Sequence, residues 1–140
     1  MGVRTYEEGD HPAVVALWEA AGRDVVPRPE LRATLRHTPD LMLVEEQDGA
    51  LRGAVLGTFD GRRGWIWRLA VDPQQRRRGV ATALVRELEA RFSALGVARI
   101  NLLVVPTDPG ALAFWERAGY PQMPDVLCSK ALARPGALPD

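Results

Sequence analysis

Apolar and polar positions along the chain follow two periods, and the switch between them divides it into elements. Val3–Tyr6 predicts a short strand. Asp10 is placed to cap a helix with Pro12 in its first turn, and Val14, Leu17 and Trp18 give that helix an apolar face. Pro27 and Pro29 mark a loop, Glu30–His37 reads as a second short helix, and Pro39 ends it. Leu41–Glu46 is a strand, Asp48-Gly49 a tight turn, and Leu51–Phe59 the returning strand of a hairpin. Asp60-Gly61 opens another turn into a third strand, Gly64–Val71, which Asp72-Pro73 stops.

The strongest helix is Gly79–Leu95, where Ala81, Leu84, Val85, Leu88, Phe92 and Leu95 recur at helical spacing and Gly96 follows as a C-cap. Arg99–Val105 is a continuous apolar strand broken by Pro106. Pro109–Ala118 is amphipathic through Leu112, Trp115 and Ala118, Gly119 closes it, and Asp125–Leu132 is expected to form a last strand. The order is β-α-α-β-β-β-α-β-α-β. Hairpins followed by a strand-helix-strand crossover predict an α/β (α+β) fold: a mixed, mostly antiparallel sheet with helices on both faces.

Composition narrows the class. The 140 residues suit a single domain spanning 1–140, with 46% hydrophobic and 26% charged residues and a formal net charge of +0. Zero net charge offers no global attraction to nucleic acid or to an anionic membrane. No apolar run reaches membrane-spanning length, and the segment MGVRTYEEGDHP lacks the apolar core of a signal peptide, so a cytoplasmic location is expected. A lone cysteine, Cys128, excludes an internal disulfide framework and a cysteine zinc site, and no metal is expected. Lys130 is the single lysine beside seventeen arginines, which fits GC-rich coding better than selection for guanidinium chemistry.

Candidate chemistry lies between Leu69 and Leu84. A strand ends, Arg76-Arg77-Arg78 follow, and Gly79 opens the long helix. The first turn of a helix has free N–H groups and the positive end of the dipole. Gly79, Ala81 and Thr82 are small enough for an anion to approach, and the arginines add charge-assisted bonds. Three arginines oppose the dipole by about 0.3–1 kcal/mol each, which favours a bound anion over a merely solvated helix end. Neither a GxxxxGK[ST] nor a GxGxxG pattern is present.

Arg76-x-x-Gly79-x-Ala81, preceded by Leu69-x-Val71-x-Pro73, resembles the acyl-CoA-binding motif of the GNAT superfamily of N-acetyltransferases. Asp108-x-x-Ala111-x-x-Phe114-Trp115-Glu116-Arg117-x-Gly119-Tyr120 resembles that family's closing helix, and the turn Phe59–Gly64 resembles a group of small bacterial members. The resemblance covers essentially the whole chain and implies acetyl-CoA as cosubstrate. The pyrophosphate would then lie on backbone N–H groups of Arg77, Arg78, Gly79, Val80, Ala81 and Thr82, with Arg76 beside them. The pantetheine arm would run along Leu69, Ala70 and Val71 in a splay between that strand and Arg99–Val105. Asp108 and Trp115 would complete the CoA site from the closing helix. Acetyl would pass directly from thioester to amine, so Cys128 needs no catalytic role and is expected as a small buried residue of the last strand. The implied partner is an amine acceptor, either a small molecule or a protein, and the resemblance allows a homodimer.

Direct transfer raises two difficulties. An alkyl amine of pKa about 10.4 is neutral about once in 2,500 molecules at pH 7, a cost of roughly 4.6 kcal/mol. Relatives commonly place a carboxylate on the third hairpin strand or the crossover strand, yet Trp65–Leu69 and Ile100–Val104 contain neither Asp nor Glu. The remaining candidates are Glu45, Glu46, Asp60 and His37, each read more readily as a solvated charge than as a base; Glu116 and Arg117 read as a solvated helix face. The second difficulty is Trp115. The resemblance expects Tyr there to protonate the departing sulfur, and an indole N–H cannot give up its proton. Tyr120, past the helix end, fits a core position. Trp65 and Trp67 are expected on one strand face with Leu69 and Val71, as core. Arg23, Asp24 and Arg28 lie where relatives shape the acceptor pocket. Two other readings stand beside the enzyme: a non-enzymatic CoA-binding domain, motivated by Trp115, and nucleic-acid binding through Arg76–Arg78, which lacks the interleaved aromatics that such surfaces use.

Overall fold

The computed structural model describes residues 2–132. Five strands form one sheet in sequential order: β1 (Gly2–Thr5), β2 (Met42–Gln47), β3 (Ala50–Phe59), β4 (Gly64–Val71) and β5 (Ile100–Leu102). The first four pair antiparallel, and β5 runs parallel to β4. Helices α1 (His11–Ala20) and α2 (Arg28–His37) cover one face; α3 (Val80–Ala94) and α4 (Pro109–Arg117) cover the other. The expected mixed, mostly antiparallel sheet with helices on both faces is what forms.

Burial on both faces explains the unbroken apolar run of β2. Met42 and Val44 pack with Val14, Leu17, Trp18 and Leu31 beneath α1 and α2, while Leu41 and Leu43 pack with Leu84, Leu88 and Phe92 beneath α3. Burying each of these large side chains contributes about 1.5–3 kcal/mol. Helix α3 lies close to the sheet because glycine faces it: a Cβ on Gly57 would sit 2.7 Å from Leu88 Cδ1, and one on Gly64 2.9 Å from Phe92 Cε1.

Strand β4 carries a bulge. Leu56 pairs with Trp67 but Ala54 pairs with Ala70, so Val55 faces both Arg68 and Leu69. Arg68 takes up the extra residue in a left-handed conformation, φ 50°. The side-chain alternation therefore changes phase. Trp67 and Ala70 pack on the α1/α2 face, whereas Ile66, Leu69 and Val71 pack on the α3/α4 face. The expectation that Trp65 and Trp67 share a face with Leu69 and Val71 is thus corrected.

Two strand expectations also change. Arg99–Val105 shortens to the three residues of β5, and Asp125–Leu132 forms no strand. Val126 and Leu127 are 82% and 67% exposed, so this segment buries little that could hold it against the sheet. Pro121 and Pro124 remove two backbone donors just before it. Among the described residues no strand lies on the outer side of β5, which pairs with β4 alone. Cys128 is consequently exposed, not buried.

Candidate active site

The end of β4 leads directly to the candidate anion cradle. Asp72 accepts a hydrogen bond from the Gln74 N–H at 2.9 Å and fixes a single 3-10 turn over Pro73–Gln75. Arg76, Arg77 and Arg78 follow, all exposed, and none forms an ion pair among the described residues. Arg77 (φ 64°) and Gly79 (φ 78°) are both left-handed, and together they swing the chain into α3. Gly79 is the N-cap and not the first helical residue: its carbonyl accepts the Ala83 N–H at 3.0 Å, and without a side chain it leaves the first-turn N–H groups uncapped. Val80 is buried and anchors the helix, whereas Thr82 is exposed and Ala81 half-buried. The first-turn N–H groups of Val80, Ala81 and Thr82 have no acceptor within the helix.

Beside this cradle the sheet divides. Parallel pairing runs Gly64↔Ile100, Trp65↔Asn101 and Ile66↔Leu102, then stops. Strand β4 continues to Val71 with its β5-facing edge unpaired among the described residues, so Leu69, Ala70 and Val71 line one arm of a fork. The open backbone groups along that edge can accept an extended ligand as a further strand would. The two cavities at the other end of α3, about 390 Å³ beside Glu89, Arg99 and Tyr120 and about 460 Å³ beside His37, Phe59 and Arg91, are not lined by fork or cradle residues.

Helix α4 closes the α3 face. The Asp108 carboxylate accepts the Ala111 N–H at 3.0 Å, so it is occupied as the cap that starts α4. Trp115 is 8% exposed and meets Phe114 and Tyr120 edge-to-face. Its indole donates no hydrogen bond among the described residues. Tyr120 is partly buried and packs against the core beneath α3. Burial, then the bond its hydroxyl donates to Glu89 Oε2 at 2.5 Å, pushes its phenol well above the usual tyrosine range. It stays protonated and engaged at neutral pH.

The candidate bases are nearly all committed elsewhere. Glu45 is buried, which corrects its reading as a solvated charge: it receives Arg52 Nε at 2.8 Å and a second guanidinium contact. Glu46 receives Arg4 Nε at 3.0 Å. Asp60 accepts the N–H groups of Arg63 at 2.7 Å and Arg62 at 2.8 Å, and these bonds hold its carboxyl below the usual range. Its work is to tie the β3–β4 turn. His37 is exposed at the end of α2, on the rim of the second cavity.

On the acceptor side, Arg23 and Asp24 are exposed, but Arg28 is bound to Glu8 at 2.7 Å. Sequence reasoning missed Arg68. Its Nε donates to the Asp24 carbonyl at 2.9 Å and ties the α1–α2 loop to the β4 bulge. Nothing in the local pattern marks an arginine for left-handed backbone, so this link was not readable. Among the described residues, no cluster of three or more His, Cys, Asp and Glu side chains could hold a metal ion.

The fold has counterparts among solved structures, and the sequence has relatives. Residues 7–120 match the model of the acetyltransferase (GNAT) family. A protein from Pectobacterium atrosepticum named as an acetyltransferase is 34% identical over 137 residues, covering 94% of this chain and 96% of its own. Two solved structures share the fold. One is the ribosomal-protein-S18-alanine N-acetyltransferase from Escherichia coli, with TM-score 0.73, 22% identity, and coverage of 84% of this chain and 75% of that one. The other is AAC(6')-Iy, solved in complex with a bisubstrate analogue, CoA-S-monomethyl-acetylneamine, with TM-score 0.76, 13% identity, and coverage of 94% and 97%. The chain belongs to the acetyltransferase (GNAT) family and is an N-acetyltransferase.

Proposed function

We propose that this enzyme transfers acetyl from acetyl-CoA directly to a primary amine, within a ternary complex and without an acyl-enzyme. The observation that carries the reading is the continuity of fork and cradle. Among the described residues the edge of Leu69–Val71 is unpaired and offers hydrogen bonds to a pantetheine arm, and the same strand delivers the chain to three arginines without ion pairs there and to the open N–H groups of α3. Pyrophosphate carries the charge that this end of the helix favours. Arg76, Arg77 and Arg78 supply the counter-charge, and Gly79 keeps the approach open.

Cys128 takes no part in this scheme, being exposed in the segment after α4. No described helix is long and apolar enough to cross a membrane; a cytoplasmic site of action is part of the proposal, with a metabolite or a protein as acceptor. Trp115 in place of a phenol leaves the CoA sulfur to depart as thiolate, which a thiol of pKa near 8.5 permits. Loss of a general acid costs about 10²–10⁴ in rate, so turnover is expected to be slow.

Calorimetric titration with acetyl-CoA, paired with thiol release over a panel of amines, tests the reading. Thr82→Glu is the informative variant. Position 82 is exposed and helical, so glutamate folds there without strain, whereas glutamate at position 79 would have to adopt left-handed backbone. The added charge should weaken CoA binding by about 2–3 kcal/mol. Unchanged affinity in folded Thr82→Glu would place the phosphates elsewhere.

A further inference from the structure

The fork has a second side. Trp65 and Trp67 stack with ring centroids 5.7 Å apart and planes 16° apart, both only partly buried. Trp67 is the first β4 residue beyond the stretch paired with β5, and Trp65 lies within it opposite Asn101, so the pair straddles the point where the fork opens. Its indole Nε1 donates to Thr58 Oγ1 at 2.7 Å, which fixes the ring. Ile100 and Leu102 of β5, and Val104 just beyond it, pack toward α3 and α4, so Asn101, between the first two on the strand, lies on the face of the two tryptophans. Leu103 is 48% exposed. Arg68 lies on this face too, tied to the α1–α2 loop. A nucleophile reaching the fork from this side meets the outer face of a stacked indole pair, an exposed leucine just past β5, a carboxamide and a guanidinium. None of these can take a proton from an ammonium.

We propose that the acceptor is a weakly basic aromatic amine, its nitrogen bonded directly to a ring that stacks on an outer face of the Trp65–Trp67 pair. This rests on the acetyl-CoA reading above and names the class of the other substrate. Stacking on an indole face selects a flat ring. An alkylammonium could also be drawn to an indole face, but that attraction stabilises the protonated form, which has no lone pair to attack with, and Arg68 opposes its charge. A nitrogen whose lone pair is shared with a ring is already neutral at pH 7. It avoids the 2,500-fold scarcity of neutral alkyl amine, and it accounts for a fork with no carboxylate on β4 or β5.

The step balances without a protein base. The neutral nitrogen bonds to the thioester carbonyl carbon, the resulting N–H acid loses one proton to water, and the C–S bond breaks with its electron pair leaving on sulfur. The thiolate takes a proton from water, giving the N-acetylated amine and CoA thiol.

The test compares aniline, benzylamine and cyclohexylamine at pH 7 with saturating acetyl-CoA, with acetyl-CoA affinity measured separately by calorimetry. Aniline should exceed both others at least tenfold in kcat/KM. Benzylamine carries the ring with a basic nitrogen, and cyclohexylamine carries neither a flat ring nor a delocalised lone pair. Trp65→Ala should lower kcat/KM for aniline at least tenfold, mainly through KM, with acetyl-CoA affinity unchanged, and Trp65→Phe should restore most of it. Preference for benzylamine or cyclohexylamine, equal use of all three, or turnover of none while acetyl-CoA binds would each overturn the aromatic-amine assignment alone. So would an aniline activity indifferent to Trp65→Ala. Failure to bind acetyl-CoA would remove the underlying reading as well.

Discussion

Trp115 and Tyr120 meet edge-to-face at the end of α4, with ring centroids 5.3 Å apart and planes 84° apart. The Tyr120 N–H also donates to the Trp115 carbonyl at 2.8 Å, so the indole is seated by backbone as well as by packing. The nearest phenol is thus fixed to Glu89 and unable to supply a proton.

Chemistry and binding should therefore separate at position 115. Trp115→Tyr should raise kcat about tenfold, about 1.4 kcal/mol off the barrier, with little change in acetyl-CoA affinity. The smaller ring leaves a cavity that offsets part of the gain if α4 shifts. Pre-steady-state thiol release with the acceptor saturating measures the step directly. A fast parent enzyme whose Trp115→Phe variant is equally fast would reduce Trp115 to packing.

The close seat of α3 on the sheet is open to a stability test. In Gly57→Ala the new methyl would lie 2.7 Å from Leu88 Cδ1, 3.0 Å from Phe92 Cζ and 3.1 Å from the Leu41 carbonyl oxygen. Leu88 can turn aside, but the carbonyl cannot, and the overpacking should cost about 1–3 kcal/mol. Urea unfolding should show a lower midpoint with an unchanged slope. A variant as stable as the parent would mean that α3 can lift off the sheet without loss.

Acid should weaken the N-terminal packing in two steps. His11 is buried, with its Nδ1 3.3 Å from the Tyr6 hydroxyl, and burial, then repulsion from Arg28, lowers its pKa. Asp10 is held low by Arg4, whose Nη1 and Nη2 lie at 2.8 and 2.9 Å, and by the Glu7 N–H. Both groups bind protons more weakly folded than unfolded. Their contributions are complete above the unfolded values, about 6.5 and 3.9, and are lost as pH falls through the folded ones. Tm should be flat above pH 7, decline below about 6.5 and decline again below about 4. His11→Gln should remove the first decline. Asp10→Asn should reduce the second, to which Glu8 and Asp60 also contribute, and cost about 1 kcal/mol at pH 7, a value tempered by the partial exposure of the pair. A pH profile identical in the two variants and the parent would refute the assignment.

Periodicity within the chain determined α3, the hairpin strands, the order of elements and the two motifs flanking the fork, because each depends on residues a few positions apart. Gly79 marked the entry to α3 and Pro109 the start of α4, since the residues that open a helix act locally, whereas the capping role of Asp108 emerged only from the structure. Tertiary structure alone decided the rest. The bulge at Arg68 turns Trp65 and Trp67 away from Leu69 and Val71, and it exists only because β4 must register against β3. Glu45 looked solvated until Arg52 met it across the hairpin. Asp125–Leu132 has the composition of a strand, yet a strand also needs a partner and a face to bury; exposed at Val126 and Leu127, it has neither among the described residues. Pairing and burial are relations between distant segments, and a single sequence states only one side of each.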